Sequence, residues 1–333
     1  MTRKNIAIIG AGISGLITAN ELKEIANITI FEKARGVGGR MACRYKDEFS
    51  FDFGAQFFTA KTPEFIAYLQ KFIDLKIIEN WQANFVEIDD NKISYSRQWS
   101  KENKHFIASP KMNSLAKYLA KDLDIKLQTR ISKINKKPKS LEIFDDKNNS
   151  CGEFDLVILT IPPKQACEIL PKNFKYFTDI QNKEMLPCFA LMLGLKNKPE
   201  INWDCAYLKN SKLSWIAFEN SKPSRNSSNS LTILSRKSWA KDNINKDLEI
   251  VKNEMISEFE YASNCKLEDI LYSDIHLWRY ANIDKQKGLK FYYDSKNSLA
   301  ICSDWLIQGR VESAFLSAKS LIEELKQQLF KNV

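Results

Sequence analysis

Apolar and polar positions follow two different periods along this chain. KNIAIIG (4–10) is a continuous apolar, β-branched run, the pattern of a strand buried on both faces. Residues 13–25 follow with helical spacing, and NITIFEK (27–33) reads as a second strand. Strand, turn, helix and strand together have the length of a βαβ crossover. PEFIAYLQKF (63–72) predicts a helix with Phe65, Ile66, Leu69 and Phe72 on one face. SPKMNSLAKYLAKDL (109–123) predicts another, with Ser109 as cap, Pro110 at its first position and Leu115, Leu119 and Leu123 along one side. Three strand-like runs come next: IKLQTRISKI (125–134), SLEIFD (140–145) and FDLVILT (154–160). The prolines of TIPP (160–163) end the last of them, because proline cannot donate to a ladder. Residues 171–298 read as mixed strands rich in Trp, Phe and Tyr, with a polar loop at NSKPSRNSSNS (220–230). The chain closes with SLAICSDW (298–305) and a helix over 311–329. The apolar stripe of that helix is Val311, Ala314, Phe315, Ala318, Leu321, Ile322, Leu325 and Leu329.

Composition changes the picture in three ways. At 333 residues the chain is long for one core and predicts two lobes. A net charge of +9, from 50 Lys+Arg against 41 Asp+Glu, invites a nucleic-acid or membrane-surface reading. The lysines are scattered, however, and the densest cluster, NKKPK (135–139), reads as a solvated turn between strands rather than a binding patch. Seven cysteines form no CxxC pair, which predicts reduced thiols in the cytoplasm. The first apolar stretch is too short and glycine-rich for a signal peptide or membrane span. The triplets NNS (148–150) and NSS (226–228) are then incidental.

The turn Gly10-x-Gly12-x-x-Gly15 stands between the first strand and helix. Gly10 permits the tight turn, Gly12 lets a pyrophosphate approach the backbone, and Gly15 lets helix and strand pack closely. The helix N-terminus attracts the phosphates through its free N–H groups and macrodipole. Glu32 ends the second strand 22 residues after Gly10, where a carboxylate suits a ribose diol. Behind it, EKARGVGGRM (32–41) adds Gly38, Gly39 and Arg40, and a guanidinium there can pair with a diphosphate.

Together these residues resemble the FAD-binding fingerprint of the flavoprotein group that includes amine oxidases, phytoene desaturases and protoporphyrinogen oxidases. LAICSDWLIQGRVESAFLSAKSL (299–321) resembles that group's C-terminal motif. Asp304 matches the aspartate that contacts the ribitol chain. Gly309, Arg310 and Val311 match the helix start facing the flavin ring. Two positions depart from the pattern: Ser303 and Ala318 stand where the group has glycine. FDFGAQFFTAKTPEF (51–65), GGRMACR (38–44) and HLWRYA (276–281) narrow the likeness to bacterial renalase-type flavoproteins. That resemblance implies a p-hydroxybenzoate-hydroxylase-like fold with non-covalent FAD. It also implies oxidation of dihydronicotinamide isomers, with O2 as acceptor and hydrogen peroxide as product. It implies cofactor contacts from Gly10, Gly12, Ser14, Gly15, Glu32, Lys33, Gly39, Arg40, Met41, Gln56 and Phe57. Ile131, Ser303, Asp304, Arg310 and Val311 complete the implied set. Trp278 matches an aromatic position near the flavin face, and His276 lies two residues before it. With only two histidines, a Ser-His-Asp or metal site has little support.

The expectation is an α/β protein: a Rossmann-like FAD-binding domain (1–60, 105–170, 299–333) with an inserted sheet-rich substrate domain (61–104, 171–298). The expected activity is an FAD-dependent oxidase of dihydronicotinamide (NAD(P)H) isomers, with its substrate pocket between the lobes. An amine or other small-molecule oxidase of the same fold is the nearest alternative, since fold does not settle substrate. A basic flavin-containing nucleic-acid-binding protein is the alternative from another class. No metal, membrane span or nucleic-acid partner is expected.

Overall fold

The apolar run at the start of the chain becomes an interior strand of a six-stranded sheet. This structure is a computed structural model and describes residues 3–226 and 228–330, the last two without side chains. Ser227, within the polar loop and the triplet 226–228, and the side chain of Leu329 lie outside the described residues. Two compact units are present. One comprises Met1–Gly39, Ala116–Met185 and Asn282–Val333; the other comprises Arg40–Leu115 and Leu186–Ala281. The unit limits differ from the sequence division: residues 40–60 and 105–115 pack in the second unit, residues 171–185 and 282–298 in the first.

In the first unit, β1 (Lys4–Ile9), α1 (Ile13–Leu22) and β2 (Ala26–Phe31) form the expected crossover. The sheet runs Phe291–Asp294, Leu299–Cys302, Leu156–Leu159, β1, β2, Asp124–Lys126. All neighbours are parallel except the first pair. Ile6, Ile8 and Ile9 are buried, as an interior parallel strand requires. Each such side chain contributes about 1.5–3 kcal/mol by leaving water. Register pairs Ile9 with Phe31 and Leu159, and Leu159 with Ile301. The carboxyl ends of four strands therefore form one edge, where ligands bind in open α/β sheets. The run 125–134 does not form one strand. Gln128, at φ +53°, breaks it, and Ile131–Lys136 instead joins Leu141–Asp145 and Ser150–Phe154 in a separate antiparallel sheet. The closing helix is Val311–Phe330, with Ala314, Phe315, Ala318, Leu321, Ile322 and Leu325 buried and Val311 partly so.

The second unit is built on a seven-stranded sheet. Its order is Ile270–Asn282, Leu186–Leu195, Asn229–Ser235, Leu213–Phe218, Cys205–Lys209, Asn84–Asp89, Lys92–Gln98. Alternation in Leu186–Leu195 divides its two faces. Phe189, Leu191 and Leu193 join the core with Val251, Met255 and Phe259 of helix Leu248–Ser263. Ala190 and Met192 face the other way, against Phe49, Phe51 and Phe53. This packing draws residues 49–53 into the second unit.

Two helix readings need correction. Helix Pro63–Asp74 forms and is capped by Thr62, with Phe65, Leu69 and Phe72 buried, but Ile66 is exposed. The stretch 109–123 is helical only over Ser114–Leu119. The Asp52 carboxylate takes the Met112 N–H, and Arg225 takes the Ala108 and Pro110 carbonyls. Ser109 donates its N–H to Ile77 instead of opening a helix.

Candidate active site

The glycine turn follows β1 at the carboxyl edge of the first unit's sheet. Gly10 has φ +108°, a backbone that side chains rarely adopt, and its N–H donates to Phe31 O at 2.8 Å. A Cβ on Gly15 would lie 2.1 Å from Gly10 O. Gly12 is the N-cap of α1, and a Cβ there would meet nothing within 4 Å. No side chain caps α1, and no acid stands in its first turn. Ser14 cannot supply the cap, because its hydroxyl donates to Ala314 O at 3.2 Å. The helix thus offers backbone N–H groups beside open space, which fits a phosphate.

Glu32 is buried, and its two carboxylate oxygens accept the N–H groups of Ala11 and Ala34, each at 2.8 Å. That fixes the carboxylate beside the turn with lone pairs to spare for a diol. Gly38 N donates to Ala11 O, and the Gly39 Cβ position lies 3.5 Å from Gly12 Cα, so both glycine turns form one cradle. Lys33 is exposed and its ammonium donates to Gln165 at 3.2 Å. Ile131 is buried two residues beyond Thr129, whose N–H bonds to Glu32 O.

The carboxyl end of Leu299–Cys302 brings Ser303 and Asp304 to the same edge, both buried. Ser303 has φ −167° and ψ 159°, an extended backbone that needs no glycine. Its N–H donates to Ser317 Oγ at 2.8 Å and its hydroxyl to Asp304 Oδ1 at 3.1 Å. The serine in place of the group's glycine therefore orients the aspartate. Ala318 is wholly buried in the C-terminal helix. Arg310 is exposed and Val311 half-buried at the start of that helix. The first unit's members of the expected set thus gather at one sheet edge, apart from the exposed heads of Lys33 and Arg310.

The remaining expected residues belong to the second unit. Arg40 Nη1 donates to Ala281 O at 3.2 Å, and Arg40 O accepts from Ala55 N at 2.8 Å. A Cβ on Gly54 would fall 2.0 Å from Arg40 O, so the segment after Phe53 needs glycine there. Met41 is buried. Two aromatic groups form on the residues before and after Gln56 in sequence, Phe53 and Phe57. On one side Phe53 stacks on Trp278 at 5.0 Å, the Trp278 indole N–H donates to Phe53 O at 2.8 Å, and His276 stands edge-on at 4.5 Å. Burial, then the Arg44 cation, holds the His276 imidazole below its ordinary value. On the other side Phe57 contacts Trp99, His105 and Trp215 at 5.1–5.3 Å. His105 stacks on Trp99 at 3.6 Å.

Sequence reasoning missed a buried charged group on the same segment. Asp52, Glu219, Lys222 and Arg225 are buried together. Asp52 accepts from Met112 N (3.0 Å), Arg225 (2.6 Å) and Lys222 (3.2 Å). Lys222 also donates to Glu219 at 2.8 Å and to Gln56 Oε1 at 3.3 Å. Burial alone would raise Asp52, but Lys222 and Arg225 outweigh it and hold the carboxyl well below the usual range. Burial pushes Glu219 up, against the pull of Lys222. The one available signal was Asp52 itself, a lone acid inside the aromatic run 51–58.

Two family profiles match the chain. The NAD(P)-binding Rossmann-like domain covers residues 8–72, and flavin containing amine oxidoreductase covers residues 81–260. The chain belongs to the flavin containing amine oxidoreductase family. The family is described as flavin containing, and the cofactor is FAD. Renalase of Mus musculus is 24% identical over 234 residues, 65% of this chain and 66% of renalase. A 4,4'-diapophytoene desaturase of Staphylococcus haemolyticus is 50% identical over 50 residues, 15% of this chain and 10% of the desaturase. The chain thus aligns with just under two thirds of renalase and a tenth of the desaturase. Among solved structures, a protein assigned as a protoporphyrinogen oxidase of Exiguobacterium sp. 255-15 superposes with TM-score 0.79 at 13% identity, covering 98% of this chain and 100% of that one. A double mutant of putrescine oxidase gives TM-score 0.73 at 11% identity, covering 98% and 99%. No described helix is long and apolar enough to cross a membrane.

Proposed function

We propose that this chain is an oxidase of dihydronicotinamide (NAD(P)H) isomers, releasing NAD(P)+ and reducing O2 to hydrogen peroxide. The single observation that carries this reading is the platform of Phe53, Trp278 and His276. Trp278 is half-buried, its plane fixed by a stack and a hydrogen bond, and its histidine neighbour is held toward the neutral form. Hydride transfer from a planar ring needs stacking and alignment more than a strong base. The likeness to renalase supports the same reading.

In this proposal Gly10, Gly12, Ser14 and Gly15 receive the diphosphate on backbone N–H groups. Glu32 accepts from the adenosine ribose, and Ile131 borders the adenine. Lys33, Gly39, Arg40, Met41, Gln56 and Phe57 complete the cofactor contacts. Ser303 orients Asp304 toward the ribitol chain, and Arg310 and Val311 open the helix facing the ring. Trp278 and His276 receive the substrate. The cofactor supplies two-electron acceptance and its return to O2. The isomer gives a hydride; with one proton and O2, the balance is NAD(P)+ and H2O2. The free state of all seven cysteines supports a reducing, cytoplasmic setting.

The second reading is oxidation of a small amine, favoured by the matched family's description. Anaerobic rapid mixing separates the two. Bleaching of the oxidised flavin band by isomerised NADH, and not by simple amines, supports the first reading. Bleaching by amines alone replaces it with the second.

A further inference from the structure

We infer that Lys222 is a positioning residue that presents the Gln56 carboxamide to the cofactor as a hydrogen-bond donor. The inference rests on the proposal above that Gln56 contacts FAD.

An ammonium can only donate and a carbonyl can only accept. Lys222 Nζ lies 3.3 Å from Gln56 Oε1, and Gln56 Nε2 donates to the Asp52 carbonyl. These two partners leave the amide one orientation. Nε2 carries two hydrogens, and only one has a partner among the described residues. Gln56 is 5% exposed, so the spare hydrogen is held inside the protein. Such a donor is placed to meet an acceptor, and flavin carbonyl and ring-nitrogen atoms are acceptors that gain electron density on reduction.

Lys222 is itself rigidly held. Glu219 Oε2 accepts from it at 2.8 Å, Asp52 Oδ2 at 3.2 Å, and the Trp81 ring lies 5.5 Å from its ammonium. Glu219 in turn accepts from Thr232 Oγ1 at 2.7 Å and Asp52 N at 3.2 Å. The four charged side chains are 0–3% exposed. Burying so many charges is weak as a stability device, since apolar replacements often do as well. Besides the backbone around 108–112 they hold segment 52–56, where the side-chain amide set by Lys222 and the Asp52 carbonyl is that of Gln56. A neutral residue at 222 would leave the amide held by the Asp52 carbonyl alone among the described residues, so its donor would be presented less firmly.

The test is the reduction potential of the bound flavin in the holo-protein. The variants are Gln56→Leu, the charge-balanced pair Lys222→Met with Glu219→Gln, and all three together. Losing the donor weakens the reduced state. Gln56→Leu and the pair each lower the potential by at least a tenfold change in the reduced-to-oxidised ratio, about 30 mV for a two-electron couple. The triple variant goes no lower than Gln56→Leu alone. If Gln56→Leu lowers the potential and the pair leaves it at the wild-type value, the role of Lys222 is overturned while the Gln56 contact stands. If Gln56→Leu leaves it unchanged, the contact fails and the inference with it. Should the pair not fold, Lys222→Leu with Glu219→Gln fills the site with a side chain that cannot donate. The same fall is expected, and a wild-type potential overturns the inference.

Discussion

A side chain on Gly15 would put its Cβ 2.1 Å from the carbonyl oxygen of Gly10, whereas Gly12, between them in sequence, borders open space. The fold requires the glycine at 15, whereas the proposed approach of a phosphate to the backbone requires the one at 12. Gly15→Ala is therefore expected to cost at least the 1–3 kcal/mol typical of overpacking, read as a fall in Tm of the apo-protein. Gly12→Ala is expected to leave the apo-protein's Tm within a degree or two while weakening FAD binding at least tenfold, read by fluorescence titration. Equal effects of both changes on folding would remove the distinction.

Glu32 spends one oxygen on each of two backbone N–H groups. In Glu32→Gln one of those oxygens becomes an NH2 that faces a donor. A cost of about 1–3 kcal/mol in unfolding free energy follows. FAD affinity falls as well, because the remaining carbonyl cannot serve both the backbone and a diol. Urea unfolding with and without FAD checks both parts.

The buried charges predict an unusual pH dependence. Asp52 is held below its ordinary carboxyl value in the folded state, so the unfolded chain binds its proton first as pH falls. Its contribution is full above the ordinary value and is lost on acidification through and below it. Glu219 runs the other way. Its folded value is raised, so its burial penalty is present at neutral pH and relieved as pH falls. Asp52→Asn should cost about 3–5 kcal/mol at pH 7, because Lys222 and Arg225 lose a buried counter-charge. That deficit should shrink below about pH 4. Glu219→Gln should not share that acid-side recovery. Denaturation of each variant between pH 3.5 and 7 measures the difference.

Trp278 is held by the Phe53 ring and by a hydrogen bond to Phe53 O. Trp278→Phe keeps a stack and loses the bond, whereas Trp278→Leu loses both. With a dihydronicotinamide isomer as substrate, kcat/KM should fall about tenfold in Trp278→Leu and less in Trp278→Phe, in line with the worth of an aromatic pair. Equal and small losses would remove Trp278 from the substrate surface.

The crossover from Lys4 to Phe31 was legible in the sequence because its determinants are local: an apolar run, three spaced glycines and an acid after the second strand. The C-terminal stripe was legible for the same reason. The stretch 109–123 was misread because its fate is decided at a distance. Its apolar spacing is helical, yet Asp52 and Arg225 claim the backbone around residues 108–112. Ile66 was misplaced because the buried face of its helix is narrower than the apolar one. The Asp52–Lys222 pair, 170 residues apart, left no local pattern at all. Lys222 reads as part of a polar loop until the fold buries it.

The most direct test of the account is FAD titration of purified apo-protein, wild type beside Gly12→Ala, with circular dichroism to show both folded. The account predicts that wild type takes up one FAD per chain and turns yellow, with absorption near ~370 and ~450 nm as for a bound oxidised flavin, and that folded Gly12→Ala fails to saturate at the same concentrations. A wild-type protein that stays colourless, or a Gly12→Ala variant that binds FAD as tightly, would contradict it.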